Sequence, residues 1–414
     1  MKPHGSGIKR EPPAIAGRPP KKYTWLSEDR HCDVCVTGGG LTGAMCALFA
    51  AEAGLSAVLI TSEGIGFGDT GHLTGCARFD AGRTLSGLDR IMSVDDALKL
   101  YSLGLDALDG LENLCGALDG TYKKSGVSSG FERRDLLVFT DTPTELALME
   151  SEYLAIRKKL PQCTFVTRKT AESSFGFPVS GGLMTSGGSA VLDPYLLAHM
   201  CLMRAEELGA EIFEQTAATD IQTPRSEDGC VIITTSTHRH IYADRLIWAG
   251  GSRETQILPL RARPHALFAM TARLPTDVTG WAGQCTLGKY GGGAEGCSLT
   301  SGGKLSASCT CRNGFFRRVG ASAKFNALRS LMQSVLPDFP EACVKYQYAY
   351  AFDTPSDGLP VIGTHGGSKN CLFALPGLYH EAGAPVFSFI AAQTAAAFLT
   401  DQTYKSNPLF DPMR

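Results

Sequence analysis

Gly38, Gly40 and Gly43 stand in G-x-G-x-x-G spacing within CDVCVTGGGLTGAMC, residues 32–46. In that spacing the first glycine permits a tight turn and the second lets a pyrophosphate approach the backbone. The third brings a helix close against its strand. Leu41 and Thr42 then open the helix, where free amides and the positive helix end favour negative charge. The motif alone is weak in a chain with 47 glycines; its meaning depends on a strand before it and a helix after it. The acid expected at the end of the next strand, to hold a ribose, is absent. Thr61 and Ser62 stand there, and the nearest acid is Glu63.

The elements needed around the glycines are present. Residues 33–37 (DVCVT) read as a buried parallel strand. Residues 42–53 are rich in helix formers and stop at Gly54, and 55–61 form a second apolar run. Strand, turn, helix and strand fit one βαβ unit. A Gly-rich loop follows at 63–75, then helices over 93–115, 143–160 and 192–208. The last of these has Asp193 as N-cap and Pro194 at its first position. Strands are expected at 211–221, 231–235 and 241–249, the last running into Gly250. The Gly/Ser/Thr-rich section 262–312 reads as antiparallel strands. A helix over 321–335, a strand at 371–375 and an apolar helix over 386–399 complete the chain.

A chain of 414 residues suggests two domains, and a net charge of −2 gives no electrostatic case for nucleic acid or an anionic membrane. The 14 cysteines are scattered, and the first 22 residues are basic, Pro/Gly-rich and without an apolar leader. Reduced thiols, a cytoplasmic location and a flexible N-terminal segment are therefore expected. No apolar run is long enough to span a bilayer, so 386–399 reads as a buried helix. Cys32 and Cys35 form C-x-x-C, but in a strand positions three apart face opposite ways. Cys309 and Cys311 share a strand face with no second Cys/His pair nearby. No metal site is expected.

Several further segments carry a resemblance. The loop FGDTGHLTG (67–75), FERRDLLVFT (131–140), LDPYLLAHMCLMRAEELGAEIFEQTAATDI (192–221), LIWAGG (246–251) and TPSDGLPVIG (354–363) follow the glycine turn in order, and FSFIAA with NPLFDPMR closes the chain. Together they resemble the FAD-dependent oxidoreductases of the D-amino-acid oxidase, glycine oxidase and sarcosine oxidase (DAO) superfamily, from about residue 23 onward. The resemblance implies an α/β fold: a Rossmann-like FAD-binding domain with an inserted α+β substrate domain built on an antiparallel sheet. The implied division is 1–22 flexible; 23–90, 180–255 and 345–414 FAD-binding; 91–179 and 256–344 mainly substrate domain.

It further implies oxidation of a small amine, amino acid or N-alkyl amino acid to an imine, with oxygen or another acceptor reoxidising the flavin. A same-fold dehydrogenase serving a quinone or protein, and a catalytically silent FAD-fold binding protein, are the alternatives. FAD would be non-covalent, since QYAYAFD before Thr354-Pro355 lacks a cysteine. Cofactor contacts fall on Gly38, Gly40, Leu41, Thr42, Gly43, Thr61, Ser62, Thr70, Gly71, Ala218, Ala249, Gly250 and Gly383. His72, Tyr379 and His380 are the catalytic candidates. Arg312, Arg317 and Arg318 form a basic cluster that either binds a substrate carboxylate or is solvated. The turn at 377–384 departs from the family's glycine-rich pattern and carries Glu381, where a carboxylate beside a reduced flavin is unfavourable.

Overall fold

The structure, a computed structural model, describes residues 8–14, 19–175, 177, 179–224, 229–251, 262–274, 285–290, 296–299, 303–312, 320–336, 339, 343–364, 370–377, 381–401 and 403–414. Strand β1 (Arg30–Thr37), helix α1 (Leu41–Glu52) and strand β2 (Ala57–Ile60) form the expected unit. Among the described residues β1 sits inside an eight-stranded sheet. It pairs in parallel with β2 on one side and His240–Trp248 on the other. Glu211–Phe213 extends the sheet beyond β2, and Cys371–Leu375 extends it beyond His240–Trp248, both in parallel. Strands buried on both faces explain the near-continuous apolar runs.

α1 is buried nearly all round, as an Ala-, Leu- and Met-rich helix permits. It packs against Pro194–Glu207 and Ala384–Thr400. Asp193 caps the former as expected, its Oδ1 accepting from the Leu196 amide at 3.0 Å. The expected strand over 211–221 is instead two, Glu211–Phe213 and Ala218–Gln222, broken where Gln215 takes φ +52°.

The second sheet has nine strands among the described residues. It is antiparallel except that Cys285–Lys289 runs parallel to Glu132–Thr140. Three of its strands, Cys76–Arg78, Gly181–Val191 and Val344–Pro355, fall in segments expected to belong to the nucleotide-binding part. The long helix Val94–Tyr122 also packs on Ala384–Thr400, so the two parts share one core.

Three expectations are corrected. Two described points of the basic lead-in are anchored: Lys9 bridges the edge strand at Tyr346, donating to Lys345 O and accepting from the Gln347 amide, both at 2.9 Å, and Lys21 pairs with Glu206. Cys32 and Cys35 join one buried cluster instead of facing apart. The amides of both Asp33 and Val34 donate to Ser56 O, at 3.1 and 3.2 Å, and the strand's alternation slips there. Burial pushes the Cys32 thiol up to about 12 and the Cys35 thiol higher than usual too. Finally, the C-terminal helical segment Glu381–Thr400 is long and apolar enough to cross a membrane, with 72% of its most apolar window buried inside the protein. Its packing against α1 and Val94–Tyr122 is that of a core helix.

Candidate functional site

The parallel strands end at a cleft of about 750 Å³, within the roughly 300–1,000 Å³ usual for ligand sites. The glycine turn forms its floor. Gly38 takes φ +112°, and a Cβ there would lie 2.3 Å from Ala249 O. Gly40 is the N-cap of α1 and supplies no side-chain cap, so the first-turn amides are left for other partners. A Cβ on Gly40 would meet only Thr70 Oγ1, at 3.0 Å. Gly43 lies behind the turn, where a Cβ would be 1.9 Å from Gly38 O. The three glycines therefore do three different jobs, as their spacing predicts.

Long-range contacts build the walls. Thr70 comes from the second Gly-rich loop, and its Oγ1 accepts from the Leu41 amide at 2.9 Å. Its own proton is thereby free to face the cleft. Thr42 and Ser388 hydroxyls meet at 2.9 Å and tie α1 to the C-terminal helix. The Thr61 backbone is consumed by Phe213 O and the Thr216 amide. Its side chain sits where a Gly39 Cβ would be, at 2.9 Å. Thr61 itself lines the cleft, and the nearest acid on the wall is Glu63. The loop carrying it is held by Glu214, whose Oε1 accepts from the Ile65 amide at 2.8 Å.

Of the expected contacts, Gly38, Gly40, Leu41, Thr42, Thr61, Ser62, Thr70, Ala218, Ala249 and Gly250 all line the cleft. Gly71 is buried behind the wall. Gly383 is also off it: its missing Cβ makes room for Ala81 Cβ, which would be 2.8 Å away. His72 is half-buried and likewise off the cleft lining. Its Nδ1 is 2.9 Å from Gly68 O and its ring stacks on Tyr350 at 3.7 Å. It positions Tyr350, which does line the cleft and donates its hydroxyl to Asp69 Oδ1 at 2.8 Å. Tyr379, His380, Arg317, Arg318 and the side chain of Arg312 lie outside the described residues.

The Glu381 carboxylate is buried beside the cleft and off its lining. Glu381 is 3% exposed, its Oε2 accepting from the Thr74 amide at 2.7 Å and its Oε1 from Thr74 Oγ1 at 2.5 Å. Burial pushes its carboxyl up, while Ser308, Thr74 and Lys304 pull it back. Sequence reasoning missed Thr37, Asp69, Leu73, Tyr350, Ala384 and Ser388 on the walls. Thr37 carried a signal as the last residue of β1, and Asp69, Leu73 and Ser388 lay in segments that carry the family resemblance.

A glycine-turn βαβ unit at the head of a parallel sheet, beside a cleft shared with a second sheet, defines a dinucleotide-binding oxidoreductase fold. The chain belongs to the DAO family of FAD-dependent oxidoreductases, whose family model matches residues 33–402. Gamma-glutamylputrescine oxidoreductase of Escherichia coli K12 is 25% identical over 205 residues, 48% of this chain and 45% of that protein. The chain thus spans about half the length of the curated relatives it matches. The structure resembles glycine oxidase from Geobacillus kaustophilus, with TM-score 0.76 and 19% identity over 93% of this chain and 99% of that one. Iminodiacetate oxidase from Chelativorans sp. BNC1 gives 0.70 and 18% over 92% and 98%.

The walls fit FAD. The Gly40 cradle, the α1 N-terminus and the Thr70 hydroxyl suit a pyrophosphate, and Glu63 suits a ribose. Thr37 Oγ1, buried on the cleft wall, has no hydrogen-bond partner among the described residues. The described walls carry Glu63, Asp69 and Asp220 but no lysine or arginine. A bound phosphate would therefore meet backbone dipoles and hydroxyls there. Thr70→Val would accordingly remove a hydroxyl placed to donate to a phosphate and strand the Leu41 amide. FAD affinity falls by roughly tenfold, about 1.4 kcal/mol, measured by flavin fluorescence titration of the apoprotein.

Proposed function

We propose that the protein oxidises a small amine, amino acid or N-alkyl amino acid to the imine, with oxygen as the electron acceptor. The observation that carries this reading is the far end of the cleft. There Leu73 and Ala384, both on the wall, pack with Leu267, Phe352 and Tyr350 in an apolar cluster between the C-terminal helix and the second sheet. Such a nook excludes water and presents an apolar face to a C–H bond. FAD supplies the two-electron acceptor when bound. The residues of this chain hold it by the α1 amides and Thr70, and Asp69 and His72 orient Tyr350 at the nook. Oxidising a C–N bond this way asks for alignment more than acid–base machinery. The substrates named for three of the similar proteins, γ-glutamylputrescine, glycine and iminodiacetate, are amines or amino acids, while a neighbour of the same fold is an L-α-glycerophosphate oxidase.

The test is anaerobic titration of the purified yellow protein with glycine, sarcosine, iminodiacetate, proline and acylated diamines. At least one bleaches the flavin band, and readmitted oxygen restores it with hydrogen peroxide formed. Bound FAD that no amine or amino acid in the panel bleaches would sink the reading.

A further inference from the structure

Glu381 is buried in the turn leading into helix Ala384–Thr400, a 17-residue helix with no side-chain N-cap and no acid in its first turn. That N-terminus reaches the cleft through Ala384 and Ser388. An uncapped helix start carries roughly half a positive charge and favours negative charge beside it. The Glu381 carboxylate lies just ahead of this end and engages three donors: the Thr74 amide at 2.7 Å, the Thr74 hydroxyl at 2.5 Å and the Ser308 hydroxyl. Lys304, whose Nζ is 3.5 Å from Thr74 O, supplies the nearby positive charge. Three donors and an ammonium suit the ionised carboxylate, since the Thr74 amide can only donate. The other titratable groups that feel it, Cys76 and Tyr348, are both neutral at ordinary pH because burial raises them.

The bonds join segments 307 residues apart. Thr74 follows Leu73, and Glu381 precedes Ala384, the two residues that flank the apolar end of the cleft. We propose that Glu381 is a positioning residue that clamps the loop at Leu73 to the start of the C-terminal helix and, through its charge, lowers the reduction potential of the flavin held between them. A buried negative charge offsets the helix end and disfavours the electron-rich reduced ring, and a low-dielectric setting leaves it poorly screened. The inference rests on the cleft holding FAD as described above.

The test compares the flavin midpoint potential of wild-type holoprotein with that of Glu381→Gln and Lys304→Gln, by dye equilibration under xanthine oxidase. Glu381→Gln keeps the shape of the clamp and removes its charge, so reduction becomes more favourable by roughly tenfold. Lys304→Gln removes the opposite charge and shifts the equilibrium the other way. General loosening of the clamp would move both variants in one direction, and that result, or an unchanged potential in Glu381→Gln with FAD bound, overturns the proposal. Should Glu381→Gln fail to fold, Lys304→Gln decides alone: a fall supports the proposal, and no change or a rise overturns it. Wild-type protein that takes up no FAD overturns this inference and the cofactor assignment together.

Discussion

Gly40→Val protein folds as the wild type does and stays colourless in excess FAD. Both halves of that outcome follow from one position. Gly40 has φ −80° and ψ −178°, an ordinary extended conformation that valine adopts readily. The Cβ built there meets only Thr70 Oγ1, at 3.0 Å, so a shift of a few tenths of an ångström in one side chain accommodates it. The remaining methyl groups project over the start of α1, into the space a pyrophosphate must enter. The phosphate then loses at least two charge-assisted bonds to first-turn amides, at roughly 1.5–3 kcal/mol each. Affinity falls by at least about 100-fold. The check is the 450 nm to 280 nm absorbance ratio after incubation with FAD, with urea midpoints of the two apoproteins compared. A flavin complement equal to wild type would refute the placement of the pyrophosphate.

This first half of the site was legible because its determinants are local. Gly38, Gly40 and Gly43 lie within six residues of one another, and the strand and helix they join are short-range patterns. The same holds for Asp193 and Pro194, where cap and first turn are adjacent in the chain. What was not legible depends on pairing across long separations. The parallel run of Cys285–Lys289 beside Glu132–Thr140 is fixed by register between distant strands, and no periodicity announces it. The missing ribose acid looked like a defect at Thr61. In the fold Thr61 does line the cleft, and the acid on the wall comes from the following loop at Glu63. His72 looked available for chemistry because its partners, Gly68 O and the Tyr350 ring, are set by the loop's own fold and by a strand nearly 280 residues later. Glu381 was legible only in part for a related reason: its type and charge were plain, but its anchoring is decided by Thr74, far away in sequence.

Gly43→Ala is expected to fail in the opposite way from Gly40→Val, because its methyl group meets protein and not ligand. The Cβ would lie 1.9 Å from Gly38 O and 3.0 Å from Gly38 C, both backbone atoms. Neither can rotate away, and Gly38 cannot retreat, since Ala249 O already sits 2.3 Å from where its own Cβ would be. Relief comes only by sliding α1 outward, yet that helix is gripped by Pro194–Glu207, by Ala384–Thr400 and by the Thr42–Ser388 hydroxyl contact. Overpacking of this kind costs about 1–3 kcal/mol, and here the helix that must move is almost entirely buried, which favours the upper end. The apoprotein's urea midpoint drops measurably while Gly40→Val leaves it near wild type. FAD binding also weakens, because displacement of α1 moves the Leu41 and Thr42 amides away from Gly38 and Thr70. The two variants together separate the glycine that admits the phosphate from the glycine that admits the helix. An unchanged apoprotein midpoint in Gly43→Ala would show that the helix and strand are not in the close contact this geometry requires.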